Sequence, residues 1–185
     1  MVKKNVEIDK YLVLDLDNTL IYSKKKLKKI NKIKKSIRKD EIEYDVIERP
    51  YLTIFLNSLK KLYNLVIFTS AKKKYCKNML KLIGKENYFS EIFTRGHMIN
   101  KKKRVRTIGD YKKVIIVDDN ENFVANCDIK NAIKIKPFFG EQDDYALLIL
   151  KEKLKIINQF NNVREGIDKV ISSSIEREKR KRQNI

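Results

Sequence analysis

Asp15 and Asp17 stand two residues apart in Leu14-Asp15-Leu16-Asp17-Asn18-Thr19-Leu20, directly after the apolar run Tyr11-Leu12-Val13-Leu14. One carboxylate can attack, the other can move a proton, and both can hold a divalent cation. That combination suits phosphoryl transfer through an aspartyl-phosphate. A phosphate ester is a dianion, so carboxylate attack on it is repelled. Mg2+ and a lysine near the phosphoryl oxygens would offset the repulsion. The alkoxide released from phosphoserine is a poor leaving group, so a proton must arrive in the transition state. A second carboxyl can deliver that proton and then take one from the hydrolytic water.

Such groups need a rigid support. Tyr11 to Leu14, Leu65 to Phe68 and Val114 to Val117 are short, uninterrupted apolar runs, and Ala132 to Ile135 is a weaker fourth. They read as strands buried on both faces. Tyr51, Ile54, Phe55, Leu59 and Leu62 recur at helical spacing after Pro50, as do Tyr75, Met79, Leu80, Leu82 and Ile83 before Gly84. Tyr145, Leu148, Ile149, Leu154, Ile156 and Ile157 suggest a helix packed on the sheet, and Val163, Ile167, Val170 and Ile171 start another. Strands alternating with helices predict an α/β fold with a parallel sheet.

Ligands of such sheets bind at the carboxyl ends of the strands. Asp15 and Asp17 end the first strand, Thr69-Ser70 the second and Asp118-Asp119-Asn120 the third, with a basic loop at 100–106 before the third. Nucleophile, acid/base, phosphate-binding hydroxyl, phosphate-binding cation and metal carboxylates then converge on one face. A lone Asp-x-Asp is weak evidence, because strand-end aspartates also cap turns. Three polar strand ends in this order are far more specific.

At 185 residues the chain is expected to form one domain over 1–172, with a basic tail at 173–185 that frays. Two cysteines without a Cys-x-x-Cys, one histidine (His97, read as structural or exposed), no apolar run of membrane length and no secretory leader point to an intracellular protein, cytoplasmic or nuclear. The net charge of +19 predicts attraction to polyanions, among them phosphorylated protein and nucleic acid.

These motifs resemble the haloacid dehalogenase superfamily, and within it the FCP/SCP-like phosphatases of the RNA polymerase II C-terminal domain. Asp15 to Leu20 matches that family's DLDxTL signature. Glu48-Arg49-Pro50-Tyr51 through Phe55-Leu56, Phe68-Thr69-Ser70-Ala71 through Tyr75, and Ile116 to Asn120 resemble its later segments. The resemblance implies a Rossmann-like parallel sheet flanked by helices. It implies Asp15 as nucleophile, Asp17 as general acid/base, Thr69, Ser70 and a lysine around the phosphate, and Thr19 and Asp118 as positioning residues. Mg2+ would be bound by Asp15, Asp17 (through its backbone carbonyl) and Asp119. Spacing to Ile108-Gly109 favours Lys103 as the lysine, whereas counting back from Asp118 favours Lys102; Lys103 is preferred. Tyr75 would line an apolar pocket or belong to the core.

The chain departs from the family in a lysine-rich insert at about 21–48. Ten of the sixteen residues 24–39 are Lys or Arg, and Leu27, Ile30, Ile33 and Ile37 recur as on an amphipathic helix, a candidate lid. Residues 40–46 could supply one or two strands. The expected activity is Mg2+-dependent hydrolysis of phosphoserine or phosphothreonine in proteins, with the polymerase tail as leading substrate. The alternatives are a phosphatase of nucleic-acid ends or small esters, and a catalytically weak phosphoprotein-binding module.

Overall fold

The computed structural model describes residues 8–25 and 44–183, with side chains described to residue 173. The apolar runs form the interior of a five-stranded sheet: β1 (Tyr11–Leu14), β4 (Asn64–Phe68), β5 (Glu91–Phe93), β6 (Val114–Asp118) and β7 (Ala132–Lys134). The order is β5-β4-β1-β6-β7, and every pairing is parallel. The fold is thus the expected α/β, Rossmann-like one. β1 lies at the centre, between β4 and β6, with Leu14 in register with Ile67 on one side and Val117 on the other. The chain moves outward from β1 on one side and then crosses to the other, so the crevice of the sheet opens at the end of β1.

Alternation along the strands separates two cores. Leu12, Leu14, Leu65, Ile67, Ile115 and Val117 face the helices α1 (Leu52–Leu59), α2 (Lys73–Leu82), α3 (Ala146–Ile157) and α4 (Val163–Gln183). Val13, Val66, Phe68, Val114 and Ile116 face the opposite side, where Val105 and Val124 cover them from short 3-10 turns. Gly84 closes α2 with φ of 62°, a left-handed cap that glycine adopts at little cost. Lys85 N then donates to Leu80 O, and Gly84 N to Lys81 O.

Three helical faces differ from their sequence pattern. In α3 the buried residues are Leu147, Leu150, Leu154 and Ile157, whereas Tyr145, Ile149 and Ile156 are exposed. In α1, Ile54 is exposed and Leu52 and Leu56 are buried; in α2, Leu82 is exposed and Cys76 is buried. Each helix carries more apolar residues than one face can bury, so periodicity left two phases open. Ile171 is likewise exposed on α4, whose backbone stays helical to Gln183. Among the described residues no helix is long and apolar enough to cross a membrane.

β2 (Ile21–Lys25) and β3 (Tyr44–Glu48) form an antiparallel ladder apart from the main sheet, from Ile21 opposite Glu48 to Lys25 opposite Tyr44. Lys24 and Lys25 are therefore strand residues, not the start of a helix. The reason is pairing: the two ends of the insert satisfy each other's backbone groups. The rest of the lysine-rich helical pattern, Leu27 through Lys39, lies outside the described residues.

Candidate active site

The loop after β1 turns within a few residues. Asn18 adopts φ of 59°, which asparagine tolerates better than most residues. Its N–H donates to Ile21 O at 2.7 Å, Leu20 N donates to Leu16 O at 2.9 Å, and Phe138 N donates to Asn18 O at 2.7 Å. This turn leaves Asp15 buried at the strand end and Asp17 half-buried beyond it.

Lys103 stands at the centre of the site, with no exposed surface. Its Nζ lies 2.6 Å from Asp15 Oδ1 and 2.6 Å from Asp118 Oδ2. Its backbone is fixed by Lys103 N donating to Phe123 O at 2.6 Å and Ala125 N donating to Lys103 O at 3.1 Å. Lys102 points elsewhere, and its Nζ donates to Asn122 O. Asp118 also accepts from Asn120 N at 2.9 Å, so both of its oxygens are engaged. Asp119 Oδ1 lies 3.4 Å from the hydroxyl of the fully buried Thr19.

Carboxylate oxygens of Asp15, Asp118 and Asp119 lie within 4.8 Å of one another. Three carboxylates face one ammonium, which leaves uncompensated negative charge in a dry place. Burial pushes the Asp15 carboxyl up to about 7, with Asp118 and Asp119 pushing the same way and Lys103 opposing. Asp119 is raised by burial and by Asp118. Burial would lower Lys103, but Asp15 and Asp118 outweigh it and hold its ammonium charged. A hard divalent cation fits this oxygen donor set and would remove the imbalance.

Asp17 points to other partners. Its Oδ1 accepts from the Tyr75 hydroxyl, and Ser23 Oγ lies 3.4 Å from the same oxygen and 2.6 Å from Tyr75 Oη. Burial raises its carboxyl above the ordinary range, although these hydrogen bonds and Lys103 pull downward. Tyr75 packs edge-on against Tyr44 at 5.1 Å. Tyr75 is thus neither a pure core residue nor simply a pocket wall, because its hydroxyl engages a carboxylate. The aromatic position was visible in the sequence, but its hydroxyl partner was not.

Thr69, buried at the end of β4, has its N–H on Phe93 O at 3.1 Å, and its Oγ1 accepts from Ala71 N at 3.1 Å. Among the described residues its hydroxyl hydrogen has no acceptor. Ser70 beside it is half-buried, and its carbonyl accepts from Arg95 Nε at 2.7 Å. His97 lies apart: Nδ1 accepts from Thr94 N at 3.0 Å and the ring packs edge-on to Phe93, a structural role. Cys76 is buried, which together with Asp17 and Asp15 pushes its thiol up to about 12 and makes it a poor nucleophile.

Arg49 is the residue that the sequence motif marked without showing its task. It is buried and bonds Asp144 through two nitrogens, at 2.9 and 2.8 Å. Its remaining hydrogens reach Thr19 O at 3.0 Å and Lys136 O at 2.8 Å. One guanidinium thus ties the turn after β1, the segment after β7 and the start of α3. Burial pushes Asp144 up, but Arg49 and Ala146 N outweigh it, and the carboxyl sits below its ordinary range. Arg49→Ala is expected to cost about 3–5 kcal/mol, because a buried carboxylate is left unpaired. Urea denaturation at neutral pH checks this. The penalty should shrink below about pH 4, where the pair's stabilisation is lost as Asp144 takes up a proton.

Known proteins resemble this chain closely enough to place it. A CTD phosphatase-like protein of Invertebrate iridescent virus 3 is 30% identical over 179 residues, which span 79% of this chain and 95% of that protein. The CTD nuclear envelope phosphatase 1 homolog of Drosophila melanogaster is 27% identical over 176 residues, 86% of this chain and 72% of that one. The fission yeast RNA polymerase II CTD phosphatase Fcp1, in a structure with beryllium fluoride, superposes with a TM-score of 0.57 at 20% identity. That match covers 91% of this chain but only 56% of that one, and it shows the shared fold. Residues 10–164 match the family model described as NLI interacting factor-like phosphatase, and the chain belongs to that family.

Proposed function

We propose that this chain hydrolyses phosphoserine and phosphothreonine in proteins, with Mg2+, through a phosphoryl group carried transiently on Asp15. The observation that carries this reading is the buried Lys103 ammonium, 2.6 Å from both Asp15 and Asp118 and surrounded by a surplus of carboxylates. Asp15, the backbone carbonyl of Asp17 and Asp119 would hold the metal, with Asp118 orienting Lys103. When bound, Mg2+ supplies the positive charge that lets an anionic nucleophile approach an anionic phosphate.

The chain's own groups account for the remaining steps. An Asp15 oxygen forms a bond to phosphorus as the bond to the seryl or threonyl oxygen breaks. Lys103 and the Thr69 hydroxyl donate hydrogen bonds to the phosphoryl oxygens, where negative charge gathers. Ser70, next to Thr69, lines the approach. Asp17, raised by burial and aimed by Tyr75 and Ser23, gives its proton to the departing alkoxide. It then takes a proton from the water that cleaves the acyl phosphate, which returns Asp15 as a carboxylate. Acid/base help of this kind contributes roughly 10²–10⁴-fold.

Among protein substrates, the phosphorylated C-terminal domain of RNA polymerase II is the first to test, since similar proteins bear that name. A nuclear or cytoplasmic site of action accords with it. With Mg2+, phosphoserine and phosphothreonine peptides are expected to release phosphate faster than 5′- or 3′-phosphorylated oligonucleotides. Equal or faster release from the oligonucleotides would replace this reading with a nucleic-acid end phosphatase, which the net charge of +19 would also suit.

A further inference from the structure

A cavity of about 390 Å³ opens beside the catalytic groups, lined by Ser70, Arg95, Met98, Lys101 and Phe123. Two of its walls lead straight into the site. Ser70 follows Thr69 in the chain, and the Phe123 carbonyl accepts the hydrogen bond that fixes the Lys103 backbone. The cavity brings two cations together over an apolar floor of Met98 and Phe123. None of its described lining residues is acidic, and among the described residues neither Arg95 nor Lys101 has an ion-pair partner. Arg95 spends its Nε on the Ser70 carbonyl at 2.7 Å, and among the described residues its terminal nitrogens have no hydrogen-bond partner.

The backbone supplies a second, independent observation. Ile99 and Lys102 exchange backbone hydrogen bonds at 3.0 Å, so Asn100 and Lys101 are the two central residues of a tight hairpin turn. Both have positive φ, 52° and 60°. A turn of this hand favours asparagine followed by glycine. Asn100 fits, but lysine stands where glycine would be free of strain. Strain held at a cavity wall is a pointer to use. The three consecutive lysines thus diverge: Lys101 faces the cavity, Lys102 holds Asn122, and Lys103 enters the site.

We propose that this cavity is a subsite for a second phosphoryl group on the same substrate peptide, bound by Lys101 and Arg95 while Lys103 and Thr69 hold the phosphate being removed. The inference rests on the protein-phosphatase reading and narrows it to multiply phosphorylated segments. A guanidinium and an ammonium together match a phosphate dianion in charge and in hydrogen-bond donors.

The test compares peptides of one sequence carrying either a single phosphoserine or a second one at one to four positions to either side. At one spacing, kcat/KM for the first phosphate released should be about tenfold higher for the doubly phosphorylated peptide, equivalent to about 1.4 kcal/mol. The gain should fall as salt rises. Lys101→Gly is expected to erase most of that preference while raising the thermal midpoint by about 2–4 °C, because glycine relieves the turn. Arg95→Gln should also erase the preference. Equal kcat/KM for the two peptides at every spacing, or a preference that survives Lys101→Gly, would overturn the subsite alone. Release from neither peptide would overturn the protein-phosphatase reading, and the subsite with it. A glutamate giving the same gain as the second phosphoserine would also overturn it, leaving a carboxylate subsite. A Lys101→Gly defect confined to phosphorylated oligonucleotides would assign the cavity to a nucleic-acid backbone and overturn it as well.

Discussion

Asp15→Asn is expected to reduce phosphate release by on the order of 10⁴- to 10⁶-fold, the scale of losing a nucleophile that acts with its partners as a unit. The amide keeps the shape but cannot form the acyl phosphate. The same change should stabilise the metal-free protein at alkaline pH. Burial raises Asp15 to about 7, so the folded chain binds that proton more tightly than the unfolded chain does. Between about pH 4 and 7 the folded state therefore loses stability as pH rises, by proton linkage. The variant lacks this term. In a chelating buffer its thermal midpoint, relative to wild type, should be higher at pH 8 than at pH 5. A pH-independent difference would show that Asp15 is not the strained carboxylate, and undiminished turnover would remove it as nucleophile.

Lys103→Met should carry the second largest effect, on stability as well as rate. Its removal leaves Asp15 and Asp118 buried and facing each other without a counter-charge, at about 3–5 kcal/mol. Against a total of about 5–15 kcal/mol for an ordinary domain, that is a large share. Lys102→Met provides the contrast. Lys102 is tied only to the Asn122 carbonyl among the described residues, so its loss should cost about 1 kcal/mol or less and leave the phosphate site intact. Denaturation midpoints in a chelating buffer and aryl phosphate turnover with Mg2+, measured for the two variants, decide between neighbouring lysines that the sequence left in competition. Larger losses for Lys102→Met on both measures would reverse the assignment.

The central strands were legible because β1, β4 and β6 are apolar on both faces and bounded by polar residues, a pattern that little else produces. The carboxylates were legible because they end those strands. The three-residue edge strand β5 was not, since Glu91-Ile92-Phe93 carries neither length nor alternation. The expectation of a strand within 40–46 anticipated part of β3, but β2 was hidden by Lys24 and Lys25, which obey strand geometry here because each backbone finds a partner, not because lysine favours strands. The phase of α3 failed for a different reason: Tyr145 leaves the core to stack on Tyr51 at 5.7 Å, and nothing local to α3 announces that contact. Arg49 and Asp144 lie far apart in sequence, so their buried pairing could only be seen once the chain was folded.

The β2–β3 ladder has a consequence for how this protein could change. Lys25 and Tyr44 are paired across it and so stand within about 5.5 Å of each other. A loop whose ends are already joined grows cheaply: doubling its length costs only about 0.6 kcal/mol in closure entropy. Ser23, which helps hold Asp17, and Arg49, which braces Thr19, both lie outside that interval. The paired strand ends are thus a socket. A foreign loop of another length or charge could be spliced in there and the same phosphate-cleaving core handed a new clientele.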